Sequence, residues 1–230
     1  YTTVGCNEPA FLGAITGSNS KINFARSTET LFHKKSEKIA EEMGVQYVST
    51  IDSAFLDSPK VDLPYELHYT LQGKQYMVFV PNYLLWHYKY KNRFTLEELL
   101  DFYCEVVYLV WKRYPELSIV MLPQTFDQGG LLDDVNLFRM LANRLNDSRV
   151  IVIPDCYSSD IQQTIISKAS FVIGARYHSI VFAINQNVPF IALCYEHKMV
   201  GLLESIDCEK YLVDFQETMF SEESKGLCLR

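Results

Sequence analysis

From residue 76 onward, short and wholly apolar runs alternate with longer stretches in which apolar positions recur every three or four residues. The runs predict strands at Tyr76–Val80, Ser118–Leu122, Arg149–Ile153, Phe171–Ile173 and Phe190–Leu193. The periodic stretches predict a helix from Thr95, where Thr95-Leu96-Glu97-Glu98 forms a capping box, to about Tyr114. Further helices are predicted from about Asp133 to Leu145, from Ser159 to Lys168, from near His178, and from about Lys198 to Ser205. Continuous apolar strands alternating tightly with helices are what a parallel sheet covered on both faces requires, because neither face of such a strand meets water. The predicted architecture is a doubly wound, Rossmann-like α/β sheet.

The opening region carries a shorter pattern. Lys21 to Ala25 is apolar at alternate positions, Ser27 precedes a helical pattern through Leu31, Phe32, Ile39 and Met43, Gly44 ends it, and Val45 to Thr50 reads as a strand. This predicts one β-α-β unit. Ile51 to Lys74, with prolines at 59 and 64, has no helical period and reads as a linker. The boundary is placed near residue 73, giving a partial N-terminal α/β lobe with its linker over 1–73 and a C-terminal Rossmann-like domain over 74–230.

Composition narrows the class. The chain has 230 residues, 48% hydrophobic and 21% charged, enough for one large core or two modest ones. A formal net charge of −7 argues against nucleic acid as a partner, since a phosphate backbone calls for a basic surface. No apolar run approaches the roughly 20 residues needed to cross a bilayer. The first residues lack the pattern of a signal peptide. The six cysteines, at 6, 104, 156, 194, 208 and 228, show no CxxC spacing and are read as reduced thiols, with a disulfide framework as the alternative. Cytoplasmic residence follows from that reading. The chain begins at Tyr1 rather than Met and is read as a fragment or an incomplete N-terminal lobe.

In open α/β sheets, ligands bind beyond the carboxyl ends of the strands. That directs attention to Pro154-Asp155-Cys156-Tyr157, Gly174-Ala175-Arg176-Tyr177-His178-Ser179 and Tyr195-Glu196-His197-Lys198. None matches a dinucleotide fingerprint or a GxxxxGK[ST] phosphate loop. Gly174–Ser179 follows a buried strand and opens a helix, so its N–H groups and the helix dipole favour an anion. Arg176 adds a planar fork suited to carboxylate or phosphate, and His178 a group that exchanges protons near neutral pH. The competing reading pairs Arg176 with a structural carboxylate and makes His178 a helix cap.

The run Ile173-Gly174-Ala175-Arg176-Tyr177-His178-Ser179-Ile180-Val181-Phe182-Ala183, followed by Val188-Pro189-Phe190-Ile191-Ala192-Leu193-Cys194-Tyr195-Glu196-His197-Lys198, resembles the polysaccharide pyruvyl transferase family. The likeness is strong over roughly residues 149–206 and extends weakly to Phe24-Ala25-Arg26-Ser27 and Asp52-Ser53-Ala54-Phe55. It implies a two-lobed fold similar to B-type glycosyltransferases, and transfer of a pyruvyl group from phosphoenolpyruvate to a sugar as a ketal. On that implication His178 is the catalytic acid/base, Arg176, Arg26, Ser179 and Lys198 bind substrate, and no cofactor or metal is needed beyond the phosphoenolpyruvate donor. The implied partners are phosphoenolpyruvate and a sugar or lipid-linked oligosaccharide, with peripheral membrane association left open. The chain departs from the family in its short N-terminal lobe.

Asp160 reads as a capping or dipole-compensating residue, Asp155 as non-catalytic and Asp52 as a turn residue, with a sugar contact as the alternative. The aromatic loop Tyr83–Tyr90 either borders the acceptor or packs over the cleft, and His87 is assigned no catalytic role. Two rivals stand beside the main reading: a sugar-nucleotide-dependent glycosyltransferase or epimerase, and a noncatalytic glycan-binding homologue.

Overall fold

A computed structural model describes residues 29–31, 34–49, 53–56, 61–126, 133–155 and 157–220. Contacts group these residues into two compact units, one holding the described residues up to 56 together with Glu196–Leu212, the other holding 57–195 together with the residues from Val213. The sequence places a boundary near residue 73; the contacts put the described residues 61–73 in the second unit.

In the first unit, β1 (Glu29–Leu31) and β2 (Tyr47–Ser49) pair in parallel across α1 (Lys34–Glu42), with Glu29 opposite Tyr47. The predicted helix and the strand that follows it are present, with one correction: Leu31 belongs to a strand, not to the helix. A three-residue strand is too short to show period two, so Leu31 and Phe32 fall into phase with Ile39 and Met43 by chance. Gly44 ends the helix at φ +65°, a conformation that favours glycine. The predicted strand at Lys21–Ala25 lies outside the described residues.

The second unit opens with α2 (Tyr65–Leu71), in the stretch read as linker. Pro64 immediately precedes this helix, where a missing N–H costs nothing, so a residue read as a breaker is in fact a start signal. The helix buries only Leu67 and Leu71, too few positions to show a period.

The sheet comprises β3 (Tyr76–Val80), β4 (Ser118–Met121), β5 (Val150–Val152), β6 (Val172–Gly174), β7 (Phe190–Cys194) and β8 (Leu212–Asp214), in the order β5-β4-β3-β6-β7-β8. The pairs β3–β4, β4–β5, β3–β6 and β6–β7 are parallel. All five residues of β3 are buried, as a central strand covered on both faces should be. Between the strands run α3 (Leu96–Arg113), α4 (Asp134–Leu145), α5 (Ser159–Ser167), α6 (Tyr177–Asn185) and α7 (His197–Ser205), and α8 (Phe215–Phe220) closes the described chain. The α3 start is the predicted capping box: Glu98 N–H donates to Thr95 Oγ1 at 3.2 Å while Thr95 N–H donates to Glu98 Oε2 at 2.7 Å. The expected doubly wound parallel architecture is the observed one.

From β3 the chain builds outward through β4 to β5, then returns to lay β6 on the other side of β3. Doubly wound sheets with such a reversal place the helices of the two directions on opposite faces and take their ligands beyond the carboxyl ends of the strands that flank it, here β3 and β6.

Candidate functional site

β6 ends at Gly174, and the ladder runs one bond further, with Ala175 N–H donating to the Val80 carbonyl at 2.8 Å. Arg176 then takes the N-cap position of α6, at φ −95° and ψ 135°. The Ser179 hydroxyl donates to the Arg176 carbonyl at 2.5 Å, and its N–H to the same oxygen at 3.2 Å. This folds the turn tightly over Gly174, where a Cβ would stand 2.1 Å from Ser179 Oγ. The Gly174–Ser179 spacing is therefore dictated by a close approach that only glycine permits.

The Arg176 guanidinium reaches Asp134, whose side chain is fully buried. The same carboxylate accepts from the main-chain N–H groups of Gln124 and Thr125, both at 2.9 Å. Asp134 opens α4 directly after the N-cap Asp133, whose carboxylate accepts from Val135 N–H at 2.9 Å. A negative charge there also benefits from the helix dipole. The competing sequence reading of Arg176 is thus realised in one respect: it does pair with a buried carboxylate. The pairing fixes the guanidinium, because Asp134 is itself held by two main-chain N–H groups. Since β3 lies between β4 and β6, the arginine crosses the end of β3 to reach the β4 side.

Beneath that crossing, Tyr103 of α3 clamps the β3 loop. Its hydroxyl accepts from Asn82 N–H at 3.1 Å and donates to the Asn82 carbonyl at 2.8 Å. Burial pushes the ionisation of Tyr103 well above its usual range, so it stays a neutral donor, although the Arg176 charge nearby works in the other direction.

His178 is exposed in the first turn of α6, edge-on to Tyr177 at 5.5 Å and tilted against Phe182 at 6.0 Å between centroids. The N-cap is Arg176, so His178 is not the capping residue. Ser179, expected to touch substrate, is fully buried with its hydroxyl on the main chain. Lys198 stands second in α7, in the first compact unit. Arg26 and Asp52 lie outside the described residues. Asp155 is exposed, and the cap of α5 is Ser158, whose Oγ accepts from Ile161 N–H at 3.5 Å, which leaves Asp160 the first-turn position of a dipole-compensating acid. In the 83–90 loop His87 is only 1% exposed and surrounded by the rings of Trp86, Tyr88, Tyr90 and Tyr195, while Trp86 and Tyr88 reach solvent. Among the described residues no group of three or more His, Cys, Asp or Glu is placed to hold a metal ion. No helix among them is long and apolar enough to cross a membrane.

Sequence reasoning missed Asp134, Asn82 and Tyr103. Asp133-Asp134 at a helix start was a usable signal, since one acid can cap while the next faces the sheet edge. Tyr103 gave none, because it shares the apolar face of α3 with Leu99, Leu100 and Val107.

A family model described as polysaccharide pyruvyl transferase matches residues 34–197. No curated protein sequence matches the chain. Among solved structures, the S. aureus MnaA–UDP co-structure is similar at 13% identity and a TM-score of 0.54, covering 86% of this chain and 52% of that one. A trehalose-phosphate synthase (UDP-forming) from Burkholderia vietnamiensis is similar at 11% identity and a TM-score of 0.51, covering 90% and 54%. A putative UDP-N-acetylglucosamine 2-epimerase from Listeria monocytogenes gives 12% identity and a TM-score of 0.50, covering 86% and 52%. At these identities the likeness is one of fold, the B-type glycosyltransferase fold expected from the sequence. The chain spans about half the length of these structures.

Proposed function

The chain belongs to the polysaccharide pyruvyl transferase family, a family of transferases, and from that premise we propose that it moves a pyruvyl group from phosphoenolpyruvate to two hydroxyls of a sugar, forming a ketal. The observation that carries the reading is the family match over 34–197, together with an arginine and a histidine two residues apart where β6 turns into α6, at the switch point of the sheet. Phosphoenolpyruvate carries a carboxylate and a phosphate on one carbon skeleton, which asks for several aligned N–H donors. Arg176, with one nitrogen held on Asp134, offers its remaining N–H groups, and the first turn of α6 adds main-chain donors. Lys198 and Arg26 complete the donor set in this reading, and Ser179 serves by shaping the turn.

The chemistry needs a proton delivered to the methylene carbon, which becomes a methyl group. The first sugar hydroxyl bonds to the adjacent carbon and gives up its proton. The second displaces phosphate at that carbon and closes the ketal. His178, exposed at the mouth of the turn, moves these protons.

The test is phosphate release from phosphoenolpyruvate across a panel of lipid-linked and nucleotide-linked sugars. His178→Ala is expected to lower turnover by roughly 10²–10⁴ while leaving phosphoenolpyruvate binding within about tenfold. Near-wild-type turnover in that variant removes His178 from the mechanism. A UDP-sugar that binds far more tightly than phosphoenolpyruvate, with no phosphate release under any acceptor, replaces this reading with a sugar-nucleotide enzyme.

A further inference from the structure

The buried side-chain nitrogen and oxygen atoms that lack a hydrogen-bond partner among the described residues belong to three side chains: Nδ2 and Oδ1 of Asn82, Oε1 of Gln124 and Nε of Arg176. They are not scattered. β3 and β6 pair with Val80 opposite Gly174, and β3 and β4 with Phe79 opposite Met121. Counted onward along the same registers, Asn82 falls level with Arg176 on one side and with Gln124 on the other. The ladder supports the count, with Ala175 N–H on the Val80 carbonyl at 2.8 Å and Leu122 N–H on the Phe79 carbonyl at 3.4 Å. The row therefore crosses the carboxyl edge of three adjacent strands at the sheet's switch point, where doubly wound folds take their ligands.

Folded interiors leave few polar groups unsatisfied, and a cluster of them asks for a partner that folding does not supply. Nothing local excuses Asn82. Tyr103 holds its main chain through both N–H and carbonyl, so the side chain is presented from a fixed base, and the residue is 0% exposed. Burial falls off outward along the site, from Asn82 through Arg176, whose side chain is 16% exposed, to the exposed His178. Asn82 is the floor of the row.

The open valences are mixed. The orientation of Gln124 follows from a chain of amides: Gln162 Nε2 donates to the Tyr157 carbonyl, which can only accept, and Gln124 Nε2 in turn donates to Gln162 Oε1 at 3.4 Å. This leaves Gln124 Oε1 as an acceptor. Asn82 contributes one donor and one acceptor whichever way its amide is turned, and Arg176 Nε contributes a donor. A carboxylate or phosphate can only accept, so the two amide oxygens would repel it. A neutral hydroxyl both donates and accepts, and is small enough to reach a closed floor.

The geometry points to Asn82, flanked by Gln124 and Arg176 Nε, as the subsite for a neutral hydroxyl of the sugar acceptor. This rests on the pyruvyl-transfer reading for which molecule brings the hydroxyl. The experiment measures melting of the full chain and of Asn82→Leu and Gln124→Leu, alone, with phosphoenolpyruvate, and with methyl glycosides of neutral hexoses and N-acetylhexosamines. Asn82→Leu replaces an unsatisfied amide by an apolar group of similar size, so without ligand it should melt about 2–4 °C above the wild type. At least one glycoside should raise the wild-type melting temperature. That shift should vanish in Asn82→Leu and shrink in Gln124→Leu, while any shift with phosphoenolpyruvate persists. If Asn82→Leu melts below the wild type or does not fold, the amide serves the fold and the proposal falls. If no glycoside shifts the wild type, the assignment to a sugar is wrong. A phosphoenolpyruvate shift lost in Asn82→Leu gives the row to the donor instead. A glycoside shift with a flat phosphoenolpyruvate response sinks the pyruvyl-transfer reading and leaves the subsite standing.

Discussion

At the scale of single residues, the pairing of Arg176 with Asp134 changes what a substitution at the motif arginine means. Arg176→Ala removes the donor contact proposed for it, but it also strands a buried carboxylate that keeps only the N–H groups of Gln124 and Thr125. Breaking one side of a buried pair costs about 3–5 kcal/mol, so the variant should lose stability in a urea titration as well as any donor affinity. Asp134→Leu combined with Arg176→Leu should recover most of that loss, and strictly additive single and double changes would show that the pair is not coupled. Arg176 was legible because an arginine at a strand-to-helix turn is a chemical signal by itself. Its partner was not, because 42 residues separate the two in sequence. Cys104 gives a second residue-scale expectation. Burial pushes its thiol up to about 11, with the Arg144 charge acting against that, so at neutral pH it stays protonated and a poor nucleophile. Cys104 and Cys208 are free thiols, as read from the sequence. Iodoacetamide near neutral pH should therefore label the half-buried Cys208 well before Cys104. Equal labelling rates in the folded protein would contradict this burial.

Among elements, the strand-to-helix turn after β6 is the most tightly determined. Gly174→Ala would drive a Cβ to 2.1 Å from Ser179 Oγ and 3.1 Å from Ser179 Cβ. Either the serine loses its bond to the Arg176 carbonyl or the turn opens, and both displace Arg176 and His178 together. The expected result is a stability loss of about 1–3 kcal/mol, the usual range for overpacking, with activity reduced beyond what that loss explains. Adding Ser179→Ala should relieve it only in part, because the serine Cβ is also close. A Gly174→Ala protein with wild-type melting and turnover would mean that the turn is looser than its contacts indicate. The strands and helices after residue 76 were legible to within a residue or two, since long apolar periods and a capping box report directly on burial and on orphan N–H groups. The short elements were not. β1, β8, α2 and α8 have three, three, seven and six residues, less than the window over which a period can be recognised, and their formation is decided by what they pack against.

Across the whole molecule, the chain enters the second unit, leaves it at Glu196, and comes back at Val213. The return is fastened by Phe215, 0% exposed and ringed by Tyr90, Phe94, Phe102 and Tyr103 at centroid distances of 5.1–6.3 Å. Phe215→Ala should cost about 3–5 kcal/mol, read as a lower urea midpoint. A loss below about 1 kcal/mol would show that the closing segment is not part of that core. The fold class and the family were readable because they rest on long alternation and on one contiguous motif. The division into units was not, because contacts between distant stretches leave no mark on local composition. The same return sets a limit on how such a protein can be taken apart or recombined. Neither unit is one uninterrupted length of chain, so a single cut, whether after residue 73 or after residue 195, frees neither of them. A chimaera that borrows only the second unit from a relative has to be spliced at three seams, at 56/57, 195/196 and 212/213, and one that omits the last leaves the ring cluster without its matching phenylalanine.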